Sequence, residues 1–209
     1  MAEANSTPDG RRQMWNQRYA QAELVWSAEP NRFLVEETAD LPPGRALDLG
    51  AGEGRNAIWL AELGWDVTAV DFSDVAMDKA RTIAARRSVA VDLEVADLVE
   101  YRPQESAFDL VMLLYIHLPV EERRQVFARA AGATAPGGTI LVIGHDSDNI
   151  EHGYGGPQDP SVLYSAADVT SDFAGLDVVK AGQRIREIQT DSGIKRAIDV
   201  IVRATRPAA

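Results

Sequence analysis

Three glycines at alternating positions, Gly50, Gly52 and Gly54, follow an apolar run near the first quarter of the chain. Because glycine has no Cβ, such a turn can be tight, and its backbone N–H groups can approach a ligand closely at the positive end of a following helix. Asp71 lies 21 residues beyond Gly50, at the end of a second strand-like run, where its carboxylate can hold two ribose hydroxyls. The spacing therefore predicts a site for a nucleotide-type ligand.

Two histidines, His117 and His145, are the candidates for proton transfer. Each follows a strand-like run, and ligands in open α/β sheets bind at the carboxyl ends of the strands. An imidazole with an ordinary pKa of about 6.5 is suited to removing a proton. We predict that both are catalytic, with Asp146 as the acceptor-side partner of His145. The alternative for each histidine is an ordinary packing or loop role.

The elements that must position these residues alternate along the chain. Strand-like runs cover 45–49, 66–70, 89–95, 108–114 and 139–144, and helical patterns cover 55–63, 74–85 and 120–135. Such alternation predicts an α/β protein with a doubly wound, parallel sheet. Ser73 and Pro119 are predicted helix starts, and Gly64 and residues 136–138 are predicted helix stops.

The last third of the chain has a different pattern. Two strand-like runs, 176–189 and 194–205, are joined by a short polar turn and predict a hairpin that adds an antiparallel strand. Residues 145–164 form a long polar segment without periodicity, which predicts a functional loop. Within it, the glycines of residues 153–157 can absorb backbone changes, so we predict a gate over the acceptor site.

Composition limits the possible classes of protein. The chain has 209 residues, of which 45% are apolar, and this predicts one domain. We expect a flexible tail at 1–12, with structure beginning near Arg11, and a domain at 13–209 whose residues 13–40 form a helical lid. With 21 basic and 32 acidic residues the net charge is −11, which disfavours nucleic acids and anionic membranes as partners.

The counts of individual residue types narrow the chemistry further. Cysteine is absent, which excludes disulfides, thiol nucleophiles and cysteine-ligated metals. The three histidines have no tight metal-ligand spacing, so no metal site is predicted. Because the sequence contains no signal-like or membrane-spanning apolar run, we expect a cytoplasmic protein. We also expect a monomer or a homodimer.

The residue types within the glycine turn indicate which class of cofactor it binds. A dinucleotide fold requires a small residue where this chain has Arg55, and the third glycine comes one place early. In contrast, Asp48-x-Gly50-x-Gly52-x-Gly54 followed by Asp71 resembles the class I S-adenosylmethionine-dependent methyltransferases. The resemblance covers about residues 45–145 and implies S-adenosylmethionine as the cofactor.

Further segments match that family in the correct order. Ala96-Asp97-Leu98 resembles its adenine-binding position, and Phe108 to Val111, running into Tyr115 to Leu118, resembles its fourth-strand motif. Residues 136–139 resemble the turn into its fifth strand. The resemblance implies a Rossmann-like, seven-stranded sheet that is mostly parallel and ends in an antiparallel hairpin strand.

The resemblance also implies a set of binding residues. The cofactor-binding positions are Trp15, Arg18, Asp48, Gly50, Ala51, Gly52, Arg55, Asn56, Asp71, Phe72, Ser73, Asp97, Leu98 and Leu113. The acceptor-side positions are Tyr19, Trp26, Tyr115, Asp146 and Tyr154. The aromatic rings have electron-rich faces suited to covering a sulfonium, or are ordinary packing groups. Arg18 either pairs with the amino-acid carboxylate of the cofactor or is a solvated charge.

Within the superfamily, Gly52 to Asn56 together with Trp15 to Tyr19 looks like the tellurite-resistance and thiopurine methyltransferase-like group, which modifies small soft nucleophiles. The chain departs from that group's commonest motif at Ala51, and the segment after His145 does not match its substrate residues. We expect in-line methyl transfer to a small molecule, at sulfur, selenium, tellurium, oxygen or nitrogen. The alternatives are a nicotinamide-dependent oxidoreductase and a non-catalytic module of the same fold.

Overall fold

The computed structural model describes residues 7–208 of the chain. The chain folds into two units, the first ending at Arg102 and the second beginning at Pro103. The predicted division into a tail and a single domain stays a prediction.

The first unit contains three parallel strands in the order β3-β2-β1. Its elements are α1 (Pro8–Ala20), α2 (Arg32–Thr38), β1 (Arg45–Leu49), α3 (Arg55–Glu62), β2 (Asp66–Asp71), α4 (Asp74–Arg86) and β3 (Asp92–Val95). Because β1 and β2 pair in parallel from Arg45↔Asp66 to Leu49↔Val70, their carboxyl ends lie at one edge. The glycine turn and Asp71 both lie at that edge.

The second unit contains four strands in the order β4-β5-β7-β6. Its elements are β4 (Phe108–Leu114), α5 (Val120–Ala133), β5 (Thr134–His145), α6 (Asn149–His152), a 3-10 helix (Pro160–Val162), α7 (Ala166–Asp172), β6 (Asp177–Thr190) and β7 (Gly193–Thr205). Strands β4 and β5 are parallel, whereas β7 is antiparallel to both β5 and β6. The seven strands belong to a mostly parallel mixed sheet with an antiparallel hairpin, so the predicted fold class is confirmed.

Local sequence explains where the helices begin. Ser73 caps α4 by accepting from the N–H of Ala76 at 3.1 Å, and Asn31 caps α2 by accepting from Phe33 at 2.9 Å. Pro119 stands at the N-cap of α5, so the predicted starts at residues 73 and 119 are confirmed. Within residues 7–208, no helix combines the length and the apolar character that crossing a membrane requires.

Several predicted boundaries differ from the structure; strand β3, for example, starts at Asp92 and not at residue 89. Helix α5 ends at Ala133, before the predicted stop at residues 136–138, and those residues belong to β5. Strand β5 starts early because a β-bulge accommodates the proline and glycines of residues 136–138. The register between β4 and β5 shifts there, between Phe108 and Leu110 of β4. The long segment after His145 also contains α6, a 3-10 helix and α7, although its sequence has no clear period.

The N-terminal region also differs from its prediction. Helix α1 begins at Pro8 rather than near Arg11, because the hydroxyl of Thr7 accepts from the N–H of Gly10 at 3.2 Å. Residues 1–6 of the predicted tail lie outside the described residues. Two helices occur before β1, within the predicted helical region, but Trp26 lies in the loop between them.

Candidate functional site

The glycine turn of the first unit has a backbone conformation that favours glycine. Gly50, Gly52 and Gly54 have φ values of 81°, 56° and 77°, in the left-handed region where a side chain is strained. The N–H groups of Gly50 and Ala51 donate to the carbonyl of Val70 at 2.7 and 3.0 Å. The turn is therefore tied to β2 while it carries the chain from β1 into α3.

Asp71, the last residue of β2, closes this turn. Its Oδ2 accepts from the N–H of Gly52 and its Oδ1 from the N–H of Ser73, both at 2.9 Å, and the N–H of Phe72 also donates to the carboxylate. Burial raises the pKa of Asp71, while these backbone donors oppose the shift. An ionised carboxylate can accept about four hydrogen bonds. Three backbone donors leave capacity for about one ribose hydroxyl, rather than the two that the spacing suggested.

Asp48 supports the turn from within β1. Its carboxylate accepts from the N–H of Ala57 in the first turn of α3, and burial, followed by the negative charge of Asp71, raises its pKa to about 7. Its Oδ2 is buried and has no hydrogen-bond partner among residues 7–208. Because a buried acceptor without a partner is costly, a proton on Asp48 or a donor from a ligand is stabilising at this atom.

Asp97 and Leu98 follow β3 as predicted, and both are half-buried. Asp97 caps a turn, because its Oδ1 accepts from the N–H of Val99 at 2.9 Å. That single bond leaves most of its carboxylate available for an amine donor. Ser73, in contrast, is fully buried; besides capping α4, its hydroxyl donates to Asn16 at 2.6 Å. The hydrogen bonds of Ser73 are therefore used within the fold.

Three other predicted cofactor residues have structural contacts. Asn56 is buried, and its side-chain oxygen accepts from the N–H of Asn31 at 2.9 Å. Arg55 donates to the hydroxyl of Ser27 at 3.2 Å. Leu113 lies in β4 of the second unit with no exposed surface, so its side chain cannot touch a ligand in this conformation.

A cluster beside the glycine turn consists of three aromatic side chains and one arginine: Trp15, Tyr19, Trp26 and Arg18. A Cβ added to Gly52 would lie 2.7 Å from the hydroxyl of Tyr19 and 3.9 Å from Nε1 of Trp26. Trp26 donates to Tyr19, and burial together with nearby carboxylates raises the pKa of Tyr19. The Arg18 guanidinium lies 5.0 Å from the ring centre of Trp15 and 5.1 Å from that of Trp26. The structure therefore brings these four predicted residues together at the turn.

Glu53, which the sequence analysis missed, fixes the loop after α1 to the glycine turn. Its buried carboxylate accepts from the N–H groups of Val25 at 2.9 Å and Trp26 at 3.3 Å. It also pairs with Lys79 at 3.0 Å, and Lys79 donates to the carbonyl of Ala22 at 2.6 Å. Nothing in the sequence marks Glu53, because it occupies a position between glycines where the motif specifies no residue type.

A polar cluster in the second unit contains His145. His145, the last residue of β5, lies opposite Asp199 of β7 in the antiparallel register, and its Nδ1 is 3.3 Å from Oδ1 of Asp199. The two atoms are close but not aligned as a hydrogen bond, so within residues 7–208 the buried Nδ1 has no hydrogen-bond partner. Asp199 is fully buried and accepts from Nε of Arg186 at 2.6 Å and from the hydroxyl of Tyr115 at 2.9 Å. Tyr115 has a φ of 58°, a strained value for a tyrosine of the kind that occurs at functional sites.

His117 contacts the same cluster as a neutral imidazole. Its Nδ1 is 3.3 Å from the carbonyl of Val162, and its Nε2 is 3.5 Å from the N–H of His145. The carbonyl requires a proton on Nδ1, so Nε2 is the acceptor. Burial, followed by the proximity of His145, lowers the pKa of His117 to about 4. The two rings stack with centroids 5.4 Å apart.

Asp146, the predicted acceptor-side partner of His145, makes hydrogen bonds of its own. Asp146 is buried, and its Oδ1 accepts from the N–H of Asp148 and from Nε2 of Gln183, both at 3.0 Å. It therefore braces the start of the loop, while Asp199 is the carboxylate beside His145. Tyr154 is 45% exposed and lies on the loop after α6.

Two glycines allow close packing around this cluster. A Cβ on Gly156 would lie 2.8 Å from the ring of His145, so the predicted gate segment rests directly against the imidazole. A Cβ on Gly144 would overlap the hydroxyl of Tyr164, which is fully buried without a hydrogen-bond partner among residues 7–208. Both positions require a residue without a side chain.

Asp199 and Arg186 are the cluster members that the sequence analysis missed. A signal for Asp199 exists, because it is an acidic residue within the otherwise apolar run from Ala197 to Val202. Charged residues are rarely buried without partners, so such a position indicates a polar network. Arg186 has no such signal, because it lies in a strand of alternating polar residues.

The glycine turn with its carboxylates and the mostly parallel sheet are the features of a class I S-adenosylmethionine-dependent methyltransferase. Residues 46–138 match the family described as a methyltransferase domain. These residues therefore match a methyltransferase domain of this class, for which S-adenosylmethionine is the cofactor.

Individual relatives agree with that assignment. The 2-heptyl-1-hydroxyquinolin-4(1H)-one methyltransferase of Mycobacteroides abscessus is 31% identical over 106 residues, which cover 49% of this chain and 47% of that protein. The chain spans less than half the length of the curated relatives it matches.

Two solved structures share the fold. One comes from work on the conversion of a disulfide bond into a thioacetal group during echinomycin biosynthesis; it has a TM-score of 0.75 and 22% identity, covering 94% of this chain and 91% of that one. TehB from Haemophilus influenzae has a TM-score of 0.72 and 17% identity, covering 94% of this chain and 67% of that one. At these identities the likeness concerns the fold alone, so the tellurite-resistance grouping stays a prediction.

Proposed function

We propose that the protein transfers a methyl group from S-adenosylmethionine to an oxygen or nitrogen atom of a small molecule, and that His145 removes the proton of that atom. The observation that carries this proposal is the contact of His145 with the buried, multiply hydrogen-bonded Asp199. An acceptor that is already anionic, such as a thiolate, needs no base. A hydroxyl or amine acceptor does.

The residues of the first unit fit the cofactor. S-adenosylmethionine supplies a methyl group on a sulfonium, which is an excellent leaving group in an in-line displacement. Asp71 has capacity for a ribose hydroxyl, Asp97 for an amine, and the unpartnered Oδ2 of Asp48 for a further donor. Trp15 and Trp26 offer ring faces to the positive charge. We propose that these residues bind and orient the cofactor and exclude water from it.

The residues of the second unit fit the handling of a proton. Burial opposes the ionisation of Asp199, but the nearby imidazole of His145 and the hydrogen bonds from Arg186 and Tyr115 lower its pKa. An ionised Asp199 favours the His145 tautomer with the proton on Nδ1, which leaves Nε2 as an acceptor. We propose that Nε2 takes the acceptor's proton and that Asp199 stabilises the resulting imidazolium. General base catalysis of this kind contributes roughly 10²- to 10⁴-fold.

A ligand-binding experiment tests the cofactor part of the proposal. S-adenosylmethionine at 100 times its dissociation constant stabilises a protein by about 2.7 kcal/mol, so we expect a raised Tm with S-adenosylmethionine and no shift with NAD. Asp71→Ala should weaken the affinity measured by calorimetry, with an unchanged circular dichroism spectrum as the folding control. A larger shift with NAD would instead favour an oxidoreductase.

A methylation assay tests the acceptor part. Radiolabelled S-adenosylmethionine is incubated with phenols, N-hydroxy heterocycles, amines and thiols, and product formation is followed for the parent protein and His145→Ala. We expect hydroxyl or amine acceptors, and a turnover loss in His145→Ala that exceeds any loss of cofactor affinity. Equal rates in both proteins would remove the proposed base, whereas cofactor binding without any product would favour a non-catalytic module.

A further inference from the structure

A cavity of about 510 Å³ lies within the first unit, on the helical side of the glycine turn. The loop after α1, the start of α3 and one face of α4 surround it. Its volume falls within the range of small-molecule sites, about 300 to 1,000 Å³. None of the three carboxylates proposed to hold the cofactor, Asp48, Asp71 and Asp97, belongs to its lining.

The lining of this cavity combines apolar and aromatic groups with cations. Leu24, Ile58 and Ile83 supply aliphatic surface, and Trp26, which is 39% exposed, supplies an aromatic face. Such a lining favours a flat apolar ligand rather than a fully hydrated one.

Cationic side chains dominate the polar part of the lining. Arg55, Arg86 and Arg87 line the cavity together with Lys79, although the chain has a net charge of −11. Glu53 is compensated by Lys79 at 3.0 Å. Asp78 is compensated by Arg81, which lies outside the lining, and Glu23 is the other acidic group of the cavity. Arg87 is likewise paired outside the lining, with Glu62 at 3.2 Å. The lining therefore keeps an excess of one positive charge, which complements an anionic ligand.

We propose that this cavity binds a small aromatic carboxylate, and that the bound molecule controls the cofactor site. The ring would pack against Trp26 and the aliphatic side chains, with the carboxylate directed to Arg86 at the end of α4. The control part of this inference rests on the proposed function, while the binding part does not.

The link to the cofactor site is a shared wall. Trp26 and Glu53 line the cavity and also belong to the structure beside Gly52: Trp26 donates to Tyr19, and Glu53 holds the N–H groups of Val25 and Trp26. A ligand in the cavity would order this loop, and the loop carries the ring of Trp26 beside Gly52. By linkage, each ligand then changes the affinity for the other by the same factor.

The binding test uses 1-naphthoate, with the neutral 1-naphthamide as a matched probe, on the full chain without S-adenosylmethionine. Calorimetry should show 1-naphthoate binding, and both Arg86→Gln and the neutral probe should lower affinity about tenfold, as expected for a charge-assisted contact. Arg81→Gln, an exposed change on the same helix outside the cavity, is the matched control and should leave affinity unchanged. Ile83→Trp, which fills the cavity, should abolish binding. Any of three results would overturn the binding site: no detectable binding of 1-naphthoate, equal affinities for the two probes, or an unchanged 1-naphthoate affinity in both Arg86→Gln and Ile83→Trp.

The coupling test measures S-adenosylmethionine affinity with and without saturating 1-naphthoate. We expect a change of about fivefold or more, which Ile83→Trp should remove. An identical affinity under both conditions would overturn the control of the cofactor site. If S-adenosylmethionine does not bind at all, the proposed function fails, while the naphthoate measurement still decides the cavity.

Discussion

Asp199 is the residue on which the proposed acid–base chemistry depends. It is fully buried and contacts His145, Arg186 and Tyr115, so removing its charge changes the state of the imidazole beside it. Asp199→Asn retains the size of the side chain, but its amide can donate to Nδ1 and favour the tautomer that carries the proton on Nε2. We expect kcat for a hydroxyl acceptor to fall about 100-fold with little change in S-adenosylmethionine affinity.

The control for this variant is Asp146→Asn, because Asp146 is a buried carboxylate of the same unit that braces a loop. It should affect stability more than the pH dependence of kcat. If both variants lower kcat equally with parallel pH profiles, Asp199 has a structural role only.

Single residues of the first unit were predicted better than those of the second. The glycine turn and Asp71 lie in one sequence motif, and the motif exists because left-handed backbone and a backbone-accepting carboxylate are both required there. Asp199 lies 54 residues beyond His145, and only the register of β5 with β7 brings them together. Local spacing does not contain that register, which explains why the sequence indicated the adjacent Asp146 and not Asp199.

Among the elements, the loop after α6 lies directly against the proposed base. Gly156 has a φ of 76°, and a Cβ there would lie 2.8 Å from the ring of His145. Gly156→Ala should therefore displace the ring or the loop and lower kcat about tenfold or more, since small misplacements of catalytic groups are costly. The measurement is steady-state kinetics together with the chemical shifts of the His145 ring.

Gly155→Ala is a matched control for that change. Gly155 has a φ of 72°, close to that of Gly156, but nothing lies within 4 Å of a Cβ at this position. Both variants carry similar backbone strain, and only one contacts His145. Equal losses in the two variants would assign the effect to loop strain rather than to the contact.

The accuracy of the predicted elements follows their length and burial. The predicted bounds of β1 and β4 are confirmed because both are mostly buried and apolar runs between clear breaks. Helices α6 and α7 have 4 and 7 residues, too short for a helical period to appear. Helix α7 depends instead on the capping box of Ser165 and Asp168.

At the scale of the whole molecule, two buried ionisable groups make stability depend on pH in opposite directions. The pKa of His117 is lowered to about 4, so between about 4 and 6.5 the native state binds fewer protons than the unfolded state, and stability falls as the pH falls. His117→Gln removes this dependence. Between pH 7 and pH 4.5 the parent protein should lose about 2 kcal/mol more than the variant, as measured by urea unfolding at each pH. Parallel losses in the two proteins would show that His117 titrates normally.

Asp48 acts in the opposite sense. Its pKa is raised to about 7 by burial and by the charge of Asp71, so between about 3.8 and 7 the native state binds more protons than the unfolded state, and stability falls as the pH rises. Asp48→Asn keeps an acceptor for the N–H of Ala57 without the buried charge. The free energy of unfolding of the variant minus that of the parent protein should be about 2 to 3 kcal/mol larger at pH 8 than at pH 5.

The same variant tests the contact with the cofactor. If a ligand donor reaches Oδ2 of Asp48, S-adenosylmethionine should stabilise the parent protein more than the variant. An equal gain in both proteins would place the ligand elsewhere.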